Sequence, residues 1–234
     1  MSIPPQKLLT VIPARGGSKA IPRKNIVPVA GKPLLLYTIQ AALESGVSTH
    51  VVVSTDSGPI AELALSAGAQ VIERPAELAT DTASTEGALL HALDQMSGRG
   101  DQAEFLLTLQ PTSPLRKAST IVAFVRRYAE IRDRYDAMLS LTEDRSFKWL
   151  MDEEGSIVPL LAEAPRRREA RTPLYTEDSA LYITRVEALR RTGFILGNSA
   201  AGYVMDPLET IDVNELTDLE LVEAIVQARR RGAR

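Results

Sequence analysis

The chain contains no cysteine and only two histidines, His50 and His91, among its 234 residues. The absence of cysteine excludes disulfide bonds, thiolate metal ligands and a cysteine nucleophile, and it is compatible with a reducing compartment. His91 lies in the helical pattern EGALLHAL, without a second metal ligand at a suitable spacing. With histidine this scarce, the sequence also argues against a Ser-His-Asp hydrolase.

The sequence has neither an excess of basic residues nor a long apolar segment. The net charge of −3 gives no support for nucleic-acid binding, so we expect no nucleic-acid partner. The N-terminal apolar run LLTVIP is too short for a signal peptide or a membrane span. We therefore expect a cytoplasmic protein without a membrane partner. With 44% hydrophobic residues, the chain is long enough to bury one sizeable core.

Apolar runs of strand length alternate with stretches of helical periodicity along most of the chain. The strand predictions cover 8–13, 50–56, 70–74, 104–111, 137–142, 179–184 and 202–206. The helix predictions cover 33–46, 58–69, 84–96, 118–131 and 214–231. Strands rich in Val, Ile and Leu with helices between them are typical of buried parallel sheets. We therefore predict an α/β fold with a mostly parallel sheet, in one domain over residues 1–234.

The alternation breaks between residues 143 and 175. Charged stretches such as MDEEG and PRRREAR occupy this region, and they show no β-α-β rhythm. A long solvated loop is one interpretation. A structured insertion is the other, because loops of about 30 residues without structure of their own are uncommon in compact domains.

The stretch IPARGGSKAIPRKN, at the end of the first predicted strand, is rich in glycine and basic residues. Ligands of open parallel sheets bind beyond the carboxyl ends of the strands, so this loop is a favoured position for a site. Gly16 and Gly17 allow successive backbone N–H groups to face one anion. Ser18 adds a hydroxyl, and Arg15 and Lys24 add charged donors. These features suit a polyphosphate, with a plain basic turn as the alternative.

Two familiar phosphate-binding motifs are missing from this loop. The pattern GxxxxGK[ST] is absent because the two glycines are adjacent, which argues against a Walker-type NTPase. The pattern GxGxxG is absent as well, which argues against a dinucleotide-binding oxidoreductase. If this loop binds phosphate, it therefore does so through a different arrangement of residues.

Four segments in order along the chain resemble the acylneuraminate cytidylyltransferases, which make CMP-sialic acid and related compounds. They are VIPARGGSKAIPRKN, the stretch from VVVSTD to ATDTAST, LLTLQPTSPLR and ETIDVNELTDLELVEA, with SALYI as a looser match. The resemblance implies a Rossmann-like fold of the nucleotidyltransferase (nucleotide-diphospho-sugar transferase) type. It also implies that an acceptor oxygen attacks the α-phosphorus of CTP, that Mg²⁺ assists and that pyrophosphate leaves. A homodimer formed through segment 143–175 is implied too.

Carried over by position, the resemblance assigns roles to individual residues. The implied catalytic residues are Arg15, Lys24 and Asp212, and the implied metal site is Asp212 with Asn214. The implied nucleotide contacts are Arg15, Gly16, Gly17, Ser18, Lys24, Asn25, Arg74, Ala83, Ser84 and Thr85, with Ser84 alternatively a helix N-cap. The implied acceptor contacts are Gln110, Thr112, Ser113, Lys148, Arg168 and Asp178. Asp56, at a strand end, is expected to be structural rather than close to the metal.

Two departures from the family pattern affect the proposed site. The sialic-acid enzymes commonly carry Asp-x-Asp where this chain has Asp212 and Asn214, although one carboxylate can suffice for Mg²⁺. Asn214 is alternatively a helix N-cap. Asp178 and Ser179 stand where those enzymes usually have Asn-Gly, and a carboxylate is an unusual neighbour for an anionic acceptor. Arg116 either binds an acceptor carboxylate or opens the next helix.

The leading prediction is a CTP-dependent cytidylyltransferase that acts on a nonulosonic, sialic-type sugar acid. The changed acceptor-side residues leave CMP transfer to a small phosphonate or another non-sugar acid as an alternative. The asparagine at position 214 leaves a catalytically weak nucleotide-binding homologue as a second alternative.

Overall fold

The structure is a computed structural model that describes residues 2–18, 20–163 and 165–232. Within these ranges the strands are β1 (Leu8–Pro13), β2 (Pro28–Val29), β3 (Lys32–Pro33), β4 (His50–Thr55), β5 (Gln70–Glu73), β6 (Phe105–Leu109), β7 (Ala137–Asp144), β8 (Trp149–Met151), β9 (Ile157–Pro159), β10 (Leu174–Arg185) and β11 (Ala200–Val204). The helices there are α1 (Leu34–Ser45), α2 (Gly58–Ser66), α3 (Thr85–Gly98), α4 (Ala118–Ile131), α5 (Val186–Thr192) and α6 (Leu216–Gly232). No helix of the described ranges is long and apolar enough to cross a membrane.

Seven strands form the central sheet, in the order β11-β7-β10-β6-β1-β4-β5. Strands β5, β4, β1 and β6 pair in parallel, as do β7 and β11. Strand β10 lies between β6 and β7 and is antiparallel to both. The chain passes from β7 through the inserted segment and back into β10 without a crossover helix, and such a connection permits antiparallel pairing. The predicted α/β fold with a mostly parallel sheet is confirmed, with β10 as the exception.

Both faces of the sheet are covered by helices. On β1, Leu8 and Ile12 belong to the core cluster that includes α1, α2 and α4. The alternate residues Leu9 and Val11 belong to the cluster on the other face, which includes α3 and α5. Because successive strand side chains point to opposite faces, a strand buried on both sides becomes a continuous apolar run. This explains why the central strands were so visible in the sequence.

The weakly patterned elements were the ones that sequence reasoning missed. Helix α5 is only two turns long, so its residues offer too few apolar repeats to signal a helix. The hairpin of β2 and β3 pairs just two residues per strand. Both β7 and β10 extend beyond their predicted ends, because residues 141–144 pair with 174–177 at the base of the insertion.

The segment between these strand extensions has structure of its own. Strands β8 and β9 form an antiparallel hairpin, and Arg168–Ala170 forms a single 3₁₀ turn. The Arg171 guanidinium lies 3.7 Å from the centre of the Phe147 ring and donates to the Arg145 carbonyl at 2.7 Å. The Arg145 guanidinium in turn donates to the Arg171 carbonyl at 2.7 Å. Part of the positive charge in this region therefore serves the local fold through cation–π stacking and main-chain contacts.

The segment before α6 is anchored to the loop that follows β6. The Val213 N–H donates to the Thr112 carbonyl at 2.8 Å. The Glu209 carboxylate is 2% exposed and accepts from the Lys117 N–H at 3.1 Å and from its ammonium at 2.6 Å. Lys117 is the residue just before α4, so Glu209 places a negative charge at the positive end of that helix.

Replacing Glu209 by glutamine should lower the free energy of unfolding by about 1–3 kcal/mol near neutral pH, because charged hydrogen bonds are lost in a buried position. Burial raises the pKa of Glu209, but hydrogen bonds from Lys117 and Thr120 outweigh it and hold the pKa below its usual 4.5. The stabilisation is therefore present above pH 4.5 and disappears as the pH falls through the lowered pKa. Thermal unfolding at pH 7 and pH 4 measures both effects.

The exposed Glu220 on α6 provides the matched control. Glu220→Gln should leave the melting temperature unchanged at both pH values. A Glu209→Gln variant as stable as the wild type at pH 7 would contradict the anchoring role.

Candidate active site

Two adjoining cavities open beyond the carboxyl ends of β1 and β6. The larger has a volume of about 360 Å³ and the smaller about 240 Å³. Pro13, Arg15, Asp81 and Gln110 belong to the walls of both. A ligand with two parts can therefore place one part in each cavity, with Arg15 beside the junction between them.

The glycine-rich loop is fixed at the edge of the larger cavity by main-chain contacts. The Gly16 N–H donates to the Asp56 carboxylate at 2.8 Å, which agrees with the structural role expected of Asp56. A Cβ at Gly16 would lie 2.9 Å from the Cβ of Ser57, so the close approach of the loop to the end of β4 requires glycine. Gly17 and Ser18 line the cavity.

Asn25 closes the loop from its other end. Its amide donates to the Arg15 carbonyl at 2.8 Å, and Asn25 lines the larger cavity. Its Oδ1 is buried without a hydrogen-bond partner among the described residues. A buried acceptor oxygen without a partner costs free energy, so it is available to a donor on a ligand.

Arg15 bridges the two sides of the site. Its Nη1 donates to the Thr80 carbonyl at 2.9 Å and lies 3.0 Å from the Asp81 carboxylate. The guanidinium is held over the boundary of the two cavities by these contacts. Because a guanidinium carries five N–H donors, it retains capacity for an anionic ligand.

Lys24 enters the larger cavity beside the segment that precedes α6. Its ammonium donates to the Val213 carbonyl at 2.8 Å. Burial lowers the pKa of Lys24 below 10.5, and Arg15 adds to the decrease, whereas Asp212 and Asp218 oppose it. These interactions show that the predicted catalytic residues Lys24, Arg15 and Asp212 come together in the folded chain.

Asp212 and Asn214 lie side by side, as their spacing in extended chain suggested. The Asn214 amide donates to Asp212 Oδ2 at 2.8 Å, so this side chain contacts Asp212 rather than capping α6. Asp218 instead accepts from the main-chain N–H groups of Asn214 and Glu215, both at 2.8 Å. Sequence reasoning did not single out Asp218, although it lies in the C-terminal stretch that resembles the family.

The oxygen ligands around Asp212 suit a magnesium site that the protein and a bound phosphate form together, rather than one formed by the protein alone. Asp212 Oδ1 is buried without a hydrogen-bond partner among the described residues. In the same part of the chain, no group of three or more His, Cys, Asp or Glu residues is arranged to hold a metal. Mg²⁺ is commonly bound by one or two carboxylates and completes its shell with phosphates and water. Asp212 Oδ1 and the Asn214 carbonyl oxygen can provide such a partial set.

The smaller cavity contains the predicted base contacts. Arg74 lines it and is 7% exposed, with Nη2 donating to the Ser54 carbonyl at 2.8 Å. Burial lowers the pKa of Arg74, and Arg15 adds to this, whereas Asp56 opposes it. Ala83, Ser84 and Thr85 line the same cavity.

Ser84 also begins α3. Its hydroxyl accepts from the Gly87 N–H at 3.1 Å, so the N-cap interpretation of Ser84 is confirmed. This cap fixes the main chain at one wall of the smaller cavity. A base can therefore meet backbone groups that are already held in place.

The predicted acceptor residues do not all lie in one place. Gln110 and Thr112 line the larger cavity. Ser113 is buried, and its hydroxyl has no hydrogen-bond partner within the described ranges. Asp178 is buried as well and accepts from the Ser140 hydroxyl. The remaining two lie in the inserted segment.

In that segment, Lys148 forms an ion pair with Asp144 and lines a separate small cavity. Arg168 begins the exposed 3₁₀ turn. Among the described residues, neither lines the larger or the smaller cavity of its own chain. Their predicted role in acceptor binding stays a prediction.

A mostly parallel sheet with a glycine-rich basic loop after its first strand, and with Lys24 bonded to the segment that carries Asp212, fits the class of nucleotidyltransferases. The chain is similar in structure to a CMP:2-keto-3-deoxy-manno-octonic acid synthetase complexed with CTP. The TM-score is 0.66 at 18% identity, covering 95% of this chain and 99% of the other. A profile of the family described as cytidylyltransferase matches residues 9–195. The chain belongs to the cytidylyltransferase family, as the resemblance in its sequence predicted.

Curated relatives extend the similarity over nearly the whole chain. An N-acylneuraminate cytidylyltransferase of Escherichia coli is 32% identical over 228 residues, covering 96% of this chain and 53% of the relative. A CMP-N,N'-diacetyllegionaminic acid synthase of Legionella pneumophila is 31% identical, covering 97% and 99%. A pseudaminic acid cytidylyltransferase of Campylobacter jejuni is 28% identical, with the same coverage. The chain therefore spans about half the length of the Escherichia coli relative and the full length of the other two.

Proposed function

We propose that the protein transfers CMP from CTP to a nonulosonic, sialic-type sugar acid and releases pyrophosphate. The observation that carries this proposal is that Arg15, Lys24 and Asn214 line the cavity formed by the glycine-rich loop, with Asp212 bonded to Asn214 and acting electrostatically on Lys24. The relatives named after sialic, legionaminic and pseudaminic acids support the class of acceptor. Because CTP is made and kept inside cells, we also propose a cytoplasmic location.

The triphosphate occupies the larger cavity in this proposal. The N–H groups of Gly17 and Ser18, the Ser18 hydroxyl and the Lys24 ammonium donate to phosphate oxygens, and Arg15 contacts the part nearest the smaller cavity. The Gly16 N–H is not available, because it is bonded to Asp56. As the bond to pyrophosphate breaks, negative charge grows on the leaving oxygens, and fixed cationic donors stabilise that charge. Asp212 and Asn214 hold a divalent metal, which we propose to be Mg²⁺. When bound, the metal supplies further positive charge to the phosphates.

The base occupies the smaller cavity. Arg74 is held by Ser54, and the main chain around Ala83 is fixed by the Ser84 cap. A buried guanidinium beside a rigid main chain suits a carbonyl and an exocyclic amine on one edge of a pyrimidine. We therefore propose that this wall selects cytosine.

Pyrophosphate release measured with CTP and a panel of acidic acceptors tests the proposal. The panel contains N-acetylneuraminate, legionaminate, pseudaminate and small phosphonates, and each acceptor is also tried with ATP, GTP and UTP. We expect release with CTP and at least one nonulosonic acid. Release with a phosphonate alone would overturn the proposed acceptor, and release with ATP or GTP in place of CTP would overturn the proposed donor.

We further propose that the inserted segment 143–175 forms a homodimer interface. Seven large apolar side chains on or beside its hairpin are 40% or more exposed: Trp149, Leu150, Met151, Ile157, Val158, Leu160 and Leu161. Apolar surface concentrated on one hairpin favours association with a second copy of the chain. A dimer also offers Lys148 and Arg168 a site other than the cavities of their own chain.

Replacing Val158 by aspartate should weaken such a dimer by about 2 kcal/mol, which is about 30-fold in the dissociation constant. Sedimentation equilibrium of the wild type and the variant measures the change. Leu65→Asp is the matched control, because Leu65 is 61% exposed on α2, outside the insertion. A wild type that stays monomeric at high concentration would contradict the proposal.

A further inference from the structure

Arg116 is a buried arginine at the end of the loop that follows β6. Arg116 is only 3% exposed, and a buried guanidinium needs partners for its N–H groups. Its Nη1 donates to the Ala180 carbonyl at 2.6 Å, and its Nη2 donates to the Thr38 hydroxyl at 3.2 Å. The guanidinium therefore links the loop to both β10 and α1.

The same guanidinium holds the main chain of Gln110. The Gln110 carbonyl accepts from Arg116 Nη2 at 3.3 Å and from the Thr38 hydroxyl at 3.4 Å. The Gln110 N–H donates to the Ala180 carbonyl at 3.4 Å. These contacts satisfy both the N–H and the carbonyl of the Gln110 main chain. The next residue, Pro111, has no N–H that would need a partner. Gln110 lines both cavities of the candidate active site.

Asp178 is the carboxylate that acts most strongly on the charge of Arg116. It is 8% exposed and accepts from the Ala180 N–H at 3.0 Å and from the Ser140 hydroxyl. Ser179, at φ 62°, turns the chain so that the Asp178 carboxylate meets the Ala180 N–H. Burial lowers the pKa of Arg116 to about 10, while Asp178 and Glu209 oppose the decrease. Arg116 is therefore charged at neutral pH, and the carboxylates of Asp178 and Glu209 favour its charged form.

We propose that Arg116 is a positioning residue for acceptor binding, which fixes Gln110 beside the cavity. This inference rests on the proposed cytidylyltransferase activity and on a contact between Gln110 and the acceptor. Asp178, the carboxylate that stands where related enzymes usually have Asn-Gly, accepts from the Ser140 hydroxyl and the Ala180 N–H inside the fold. Burial raises the pKa of this carboxyl, and its hydrogen bonds and the charge of Arg116 oppose the increase.

Steady-state kinetics of Arg116→Met separate positioning from a general structural role. The probe is N-acetylneuraminate, or the acid of the panel that the wild type turns over. We expect the KM for the acceptor to rise and kcat to fall, by about 10- to 100-fold in kcat/KM, because a group displaced by about 1 Å loses its contact. The KM for CTP should rise less than the KM for the acceptor, although Gln110 also lines the cavities assigned to the nucleotide. Arg126→Met, the same change at an exposed position of α4, should alter none of these values.

A double-mutant cycle with Gln110→Ala shows whether Arg116 acts through Gln110. If it does, Arg116→Met adds little once Gln110 is gone, whereas independent effects multiply to within about twofold. Arg116→Lys should restore part of the acceptor KM, because one ammonium can keep one of the carbonyl contacts. Effects that multiply, or an equal rise in both KM values, would overturn the proposal.

Amide hydrogen exchange of the full chain decides the positioning role independently of turnover. In Arg116→Met, the peptide that contains residues 110–116 should exchange faster, and β1 and β4 should exchange at the wild-type rate. If the wild type releases no pyrophosphate with any acid, the proposed function fails while this measurement still decides the role of Arg116. Unchanged exchange in 110–116 would overturn it.

Discussion

Replacing Lys24 by methionine should lower kcat by about 10²–10³-fold, because one fixed cationic donor is removed from the position where charge develops on the phosphates. Methionine keeps the length and apolar volume of the lysine stem, so the variant should fold. The effect on kcat should exceed the effect on the KM for CTP, since the contact strengthens as the leaving group gains charge. Stopped-flow or continuous pyrophosphate assays measure both constants.

The pH dependence provides a second signature of Lys24. Because burial lowers the pKa of Lys24 from 10.5, activity that needs its ammonium should fall at a lower pH than an ordinary lysine would allow. Lys24→Arg should move this alkaline limb to higher pH, since a guanidinium stays charged. Lys7→Met is the matched control, because Lys7 pairs with Glu104 at the opposite edge of the sheet. A Lys24→Met variant with wild-type kcat would refute the proposed role.

Replacing Asp212 by asparagine should reduce turnover by about 10²-fold and raise the Mg²⁺ concentration that gives half-maximal rate. Asp212 Oδ1 is the buried oxygen without a partner, so the substitution removes the charged oxygen best placed to bind the metal. Titration of the rate with Mg²⁺ measures the change, and isothermal calorimetry of CTP binding with and without Mg²⁺ measures it without turnover. Asp133→Asn, at an exposed position, should behave as the wild type.

The reverse change at Asn214 distinguishes an active enzyme from a weak homologue. Asn214→Asp restores the second carboxylate that related enzymes commonly have, and it should tighten Mg²⁺ binding while changing kcat only a few-fold. A large gain from a wild type near zero would instead favour the catalytically weak homologue. Equal turnover of the wild type and Asp212→Asn would remove Asp212 from the metal site.

Much of the fold was predictable because its central strands are buried on both faces. The runs that became β1, β4 and β6 lack polar alternation, and that pattern is typical of strands covered by helices on both sides. The site loop was predictable for a related reason, since the end of a parallel strand followed by glycines and cations suits an anion. These signals lie within short stretches of sequence.

The remaining features depend on contacts between distant residues. The antiparallel direction of β10 follows from the return of the chain through the insertion, which no local pattern encodes. Asp178 looked like an odd neighbour for an acidic acceptor, but it is buried in the fold and accepts from the hydroxyl of Ser140, 38 positions away in sequence. Arg116 itself looked like a simple charged residue at a helix start. Only the folded arrangement shows that it holds Gln110.

The bond between Lys24 and Val213 joins two positions separated by 189 residues. A ribosome that adds about 5–20 residues per second needs about 10–40 s to reach Val213 after it has made Lys24. During that interval the glycine-rich loop exists without the segment that completes its cavity. The proposed nucleotide site therefore cannot be completed before Val213 has been made, and bound CTP would report that translation has passed residue 213.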